Sequence, residues 1–187
     1  MLVSLAVLAL VSLAAPSARA EVIIKRPKEH PKYVVEIEPH LNFAFFRYRV
    51  EGFKDPKGSF FGHPEFGGGL RFSFPVGDPA FVPKINDTVA ITFGLDVTAC
   101  PSYCNHHAYF RIPAGIQWNF FITEKFNVFA DLGFMLGIAT IGTGKGGGVF
   151  PDFFVMPGGR FMFSDKVALT FRIGYPFVSL GVSFFAG

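Results

Sequence analysis

The chain has one tryptophan and two cysteines in 187 residues, and only 17% of its side chains are charged. Beyond residue 20 it has no uninterrupted apolar run of about 18 residues, which excludes an ordinary membrane-spanning helix. Two cysteines cannot staple a multi-disulfide scaffold. The formal net charge is only +3, and the basic residues are scattered, which excludes a nucleic-acid surface. Sparse charge and no long apolar run would suit a soluble core. Yet half of all residues are hydrophobic, mean hydropathy is +0.39, and Phe alone fills 26 positions. An apolar surplus without an apolar run is what strands that alternate into lipid would produce.

The alternation is clearest from Thr88 to Ile122. Val89, Ile91, Phe93, Leu95 and Val97 alternate with Thr88, Ala90, Thr92, Gly94, Asp96 and Thr98. After a short loop, Phe110, Ile112, Ala114, Ile116, Trp118, Phe120 and Ile122 alternate with Tyr109, Arg111, Pro113, Gly115, Gln117 and Asn119. Successive strand side chains point to opposite faces, so each run has one apolar face and one small or polar face. Each run is about ten residues or longer, the length a tilted strand needs to cross a hydrocarbon layer. A soluble barrel or sandwich would also alternate. Its solvated exterior would then carry many of the 21 glycines, which weaken strands without a reason.

In chain order, Met1–Ala20 reads as a signal peptide, with an apolar stretch from Leu2 to Ala15 and an Ala18-Arg19-Ala20 cleavage site. Residues 21–32 are polar and read as an unstructured periplasmic lead-in, and residues 33–187 as a single barrel domain. Val35 to Phe45 is the first strand, and Glu51 to Gly67 an exposed loop. Leu70, Phe72 and Phe74 mark a second strand, and Ala80 to Asp87 a connection of turn residues. Thr123-Glu124-Lys125 and Ser164-Asp165-Lys166 are tight turns. Val128 to Ile138 is a fifth strand, and Val149 to Phe163 an irregular sixth, disturbed at Phe153-Phe154 and Pro157-Gly158-Gly159. Val167–Tyr175 and Val178–Phe184 finish the chain. The expected fold is an all-β, antiparallel, up-and-down transmembrane barrel of about eight strands. Trp118, Phe120 and Phe126 at one end, with Tyr109 and Phe110 at the other, would supply aromatic girdles.

The inward faces then collect Glu36, Glu38, Asp96 and Asp131 with Arg71, Arg111, Arg160 and Arg172. Eight strands enclose a space that side chains fill. An unpaired charge there costs several kcal/mol, so these groups are expected to pair into a plug, with Gln117, Asn119, Thr92 and Thr170 satisfying what is left. A narrow pore lined by the same arginines is the alternative.

Site chemistry has one other candidate, Cys100-Pro-Ser-Tyr-Cys104-Asn-His106-His107. In an oxidising compartment Cys100 and Cys104 are expected to form a disulfide; a metal site with a His, or free thiols, are the other readings. Ser102, His106 and His107 would be the residues of a lipid-modifying enzyme, but no motif joins them, and the expectation is no enzyme, no metal and no cofactor. Gly142 to Gly148 fails as a phosphate loop, because Ala139 and Gly146 replace the Gly and the Ser or Thr that it requires.

This pattern, over roughly Tyr33 to the end, resembles the small eight-stranded outer-membrane barrels of the OmpA and OmpX type. The resemblance implies a Gram-negative cell outer membrane, contact with its lipid and lipopolysaccharide, and insertion by the barrel assembly machinery. Such barrels often end on an aromatic residue; here Phe184-Phe185 are followed by Ala186-Gly187.

Overall fold

The computed structural model describes residues 21–46, 61–79, 82–99, 108–140 and 148–187. Among them the chain forms eight strands: β1 (Val35–Phe46), β2 (Phe61–Gly77), β3 (Asp87–Ala99), β4 (Ala108–Phe121), β5 (Phe126–Thr140), β6 (Gly148–Ser164), β7 (Val167–Ile173) and β8 (Val178–Ala186). Each pairs antiparallel with its sequence neighbours, and β1 pairs with β8, so the sheet closes as an up-and-down barrel.

The register gives the size. From Ile37, paired residues lead through Phe72, Phe93, Ala114 and Phe134 to Phe153 on β6. In the other direction they lead through Phe184 and Val167 to Ser164. Phe153 and Ser164 stand eleven positions apart, one of them the extra residue of a bulge between Met162 and Ser164. A stagger of about ten over eight strands tilts them by about 40° and leaves room for side chains alone.

Alternation is carried out strictly. On β3, Ile91, Phe93 and Leu95 are exposed while Ala90, Thr92 and Asp96 are buried. The outward row of β4 runs from Phe110 to Phe120, ten steps of about 3.4 Å. At that tilt it is about 26 Å tall, the height of the apolar band of a membrane barrel. Trp118 belongs to this outward row, and its indole N–H donates to Asp87 Oδ2 at 2.7 Å, giving the ring a polar anchor at the end of the band.

Three expectations are corrected. β2 starts at Phe61, inside the segment read as a loop, and so carries Glu65 and Gly67. Three successive glycines argue against a strand locally, but the close approach of β3 needs them: a Cβ on Gly67 would lie 1.8 Å from the Val97 carbonyl oxygen. β6 is a continuous strand of 17 residues, with Phe153 outward and Phe154 buried. Its prolines, Pro151 and Pro157, sit at outward positions that break no burial pattern.

The third correction concerns residues 21–32, which are ordered against the turn end of the barrel. Val22 bridges Thr123, Ile23 N–H donates to the Ile122 carbonyl at 3.0 Å, and Asn86 N–H donates to the Ile24 carbonyl at 2.8 Å. Ile23 is buried, the His30 ring stacks on Phe121 at 5.0 Å, and His30 Nε2 meets Asp78 Oδ1 at 2.9 Å. Buried Ile23 docks this strap, with Val22 and Ile24 adding backbone contacts; its charged neighbours hide that signal in the sequence. Ile23→Ala is expected to cost about 2–5 kcal/mol. Limited proteolysis would then cut at residues 21–32 in the variant well before the wild type.

Tyr33, just before β1, packs edge-on to Phe185 at 4.8 Å. Burial, and then the nearby Glu36 charge, push its phenol well above the usual tyrosine range. The fold therefore holds Tyr33 neutral, while the unfolded phenol ionises near pH 10. Stability that Tyr33 supplies is complete below that pH and lost as pH rises above it. Urea midpoints between pH 9 and 11 are expected to fall less steeply for Tyr33→Phe than for the wild type.

Candidate functional site: the charge-filled lumen

The inward faces bring buried charge from seven of the eight strands into the barrel. Arg160 on β6 donates to Glu36 Oε2 at 2.6 Å, Gln117 Oε1 at 2.8 Å and Asn119 Oδ1 at 2.6 Å. Glu36 also accepts from the Ser183 hydroxyl at 2.7 Å. Arg172 on β7 donates to Glu38 and, through Nε, to Asp131 Oδ2 at 2.8 Å. Asp131 Oδ2 also lies 3.6 Å from Arg71 Nη1. Arg71 donates in turn to Asp96 Oδ2 at 3.1 Å, and Asp96 Oδ1 meets His40 Nε2 at 2.6 Å and Asn42 Nδ2 at 3.2 Å. The chain Glu38–Arg172–Asp131–Arg71–Asp96–His40 is thus continuous, and Ser183 links it to Glu36.

A second set lies apart. Arg111 donates to Glu65 Oε2 at 3.1 Å and to Thr98 Oγ at 2.6 Å, and Thr98 donates to the same Glu65 oxygen at 2.6 Å. Of the smaller polar groups, Thr92 accepts from Ser73 at 3.4 Å, and Thr170 shares a hydrogen bond with Ser183.

Glu65 escaped the sequence reading because its residues were assigned to a loop. With it, the network sets five carboxylates, Glu36, Glu38, Glu65, Asp96 and Asp131, against four guanidiniums. His40, whose two ring nitrogens face the Glu38 carbonyl and Asp96, occupies the acid-rich position. Also missed were the aromatic members. The Phe129 ring has the Arg160 guanidinium 4.2 Å and the Arg172 guanidinium 4.7 Å from its centroid, and Arg71 lies 5.6 Å from Phe154. Their signal was present: Phe129 breaks the small-or-polar rule on the inward face of β5. A guanidinium is weakly hydrated and flat, so an aromatic face can take the place of water on it.

Apolar groups cluster near both ends of the barrel. Ala44, Met135, Phe154, Met156 and Phe177 cluster toward the loop end, with Phe150 and Tyr175 against them. Met162, Ala168 and Phe185 cluster toward the turn end with Tyr33.

Cys100, Ser102, Cys104, His106 and His107 lie outside the described residues, as do residues 1–20. Among the described residues no group of three His, Cys, Asp or Glu is arranged to hold a metal ion.

Removing one partner of a buried ion pair strands the other. Arg160→Met is therefore expected to cost about 3–5 kcal/mol in urea unfolding, while adding Glu36→Leu recovers a large part of that loss. Gly69→Ala should also destabilise, by about 1–3 kcal/mol, because its Cβ would sit 2.2 Å from Asp96 Oδ1 and 2.7 Å from His40 Nε2.

No family model matches the chain, and no curated protein matches it. Solved structures do. Neisserial surface protein A is 13% identical with a TM-score of 0.51, covering 82% of this chain and 96% of that one. Ail, the attachment invasion locus protein of Yersinia pestis, is 13% identical with a TM-score of 0.48, covering 81% and 98%. The N-terminal β-barrel domain of Pseudomonas aeruginosa OprF is 15% identical with a TM-score of 0.43, covering 82% and 97%. Closed eight-strand topology, an apolar exterior and the likeness to Neisserial surface protein A together give the chain the fold of the small outer-membrane β-barrel proteins.

Proposed function

We propose that the chain is a cell outer-membrane β-barrel with a structural or surface-interacting role, its lumen plugged by its own side chains. The observation that carries this reading is the continuous chain of ion pairs from Glu38 to Asp96, extended by hydrogen bond to His40, lying between two apolar clusters. Conduction through such a lumen would require breaking buried charge pairs. A working surface is left at the outside. There the barrel meets lipid and lipopolysaccharide along its apolar band, and it reaches that position through the barrel assembly machinery.

The lumen also argues against catalysis within it. Among the described residues each inward carboxylate is held by an arginine, a hydroxyl or a ring nitrogen, and none faces a nucleophile with an open approach for substrate.

Planar-bilayer recordings of the refolded protein are expected to show no large, steady conductance. Steady channels from protein that still shows heat-dependent gel migration would overturn the plug. Lipid A mass spectra from cells with and without the protein are expected to be the same.

A further inference from the structure

The ladder between β6 and β7 stops at Gly158↔Arg172, whereas β6 stays paired to β5 as far as Gly148. The outer part of β6 therefore presents a long edge beyond the end of β7. Among the described residues, one isolated bridge crosses from it, Val155↔Tyr175, with hydrogen bonds of 3.0 and 3.1 Å in the two directions. Backbone groups alternate sides along a strand. Because Val155 points its N–H and C=O away from β5, so do Phe153, Pro151 and Val149. This row is a template for an incoming strand.

Its donors, however, are used up. Val155 N–H is bonded to Tyr175. Phe153 N–H donates to the Asp152 carboxylate at 2.8 Å. Pro151 has no N–H. Among the described residues, Val149 at the tip is the one position of this row that keeps a donor no side chain takes up. The Asp152 carboxylate is fixed in its capping position by the Tyr175 hydroxyl, and the Phe153 ring stacks on Tyr175 at 5.1 Å. Three neighbouring residues thus close this edge in three different ways.

We infer that the projecting edge of β6 is built to refuse strand addition, by a second copy of this chain or by an extended segment of another protein. Contacts at this end are then made by side chains, and the barrel stays monomeric through this edge. The inference holds whether or not the lumen conducts, so it fails independently of the plug.

The test uses the full chain refolded in detergent, with heat-dependent gel migration to show an intact barrel. Pro151→Val with Asp152→Val restores one donor and frees another. Sedimentation is expected to show the double variant dimerising at least tenfold more tightly than the wild type, and hydrogen exchange to slow at residues 149, 151 and 153 in the dimer. Adding Val149→Pro should abolish that dimer; stickiness from the new valines alone would survive it. A wild type that dimerises with protection at 149 and 153 overturns the inference. So does a folded double variant as monomeric as the wild type, or a dimer indifferent to Val149→Pro. Should the double variant fail to fold, Pro151→Val alone carries the same comparison.

Discussion

The structure depends on closing β1 against β8. Along that seam Val35 pairs with Ala186 and Phe43 with Val178, so the first and last strands leave no open edge within the band. In hydrocarbon every backbone N–H and C=O must find a partner in the sheet, and only a closed ladder provides that. Closure also makes an inside. Half the side chains of every strand then enter a space too narrow for water and side chains together.

That confinement accounts for the composition of the inward faces. Four arginines must be neutralised, hydrogen-bonded and packed within one narrow cylinder, and each carboxylate near them serves more than one purpose. Asp131 joins Arg172 to Arg71, and Asp96 joins Arg71 to His40. Glycines opposite the bulky groups make the arrangement fit. Gly158 lies against the Phe129 ring, which itself lies beside two guanidiniums. Buried ion pairs are weak sources of net stability but strong selectors of a single arrangement. We regard the lumen here as a device of register: a one-residue slip of any of the seven charged strands would put its charges into lipid.

The ends of the barrel are handled by different means. At the turn end the strap of residues 21–32 ties Asn86 to Ile122 and Thr123 on neighbouring turns. At the loop end the unequal lengths of β6 and β7 leave an edge, which Pro151, Asp152 and Tyr175 close locally. The first solution uses tertiary contacts with a distant segment. The second combines local features of β6, Pro151 and the Asp152 cap, with one contact from Tyr175 beyond β7.

The sequence by itself determined the strands' two-faced character, their approximate number and the set of inward arginines, because a period of two is a local property that no partner can alter. Ile91 had to face opposite to Thr92 whatever lay beside them. It did not reveal β2's early start, the inward Glu65 and Phe129, or the docked strap. Those depend on what a neighbouring strand or turn offers. Gly67 to Gly69 make a poor strand alone and a necessary one beside β3, where any side chain at Gly67 would meet the Val97 carbonyl. Which carboxylate meets which arginine was likewise left to the tertiary structure. Register and stagger set those distances across the lumen, as between Glu36 and Arg160, 124 residues apart in the chain and 2.6 Å apart in space.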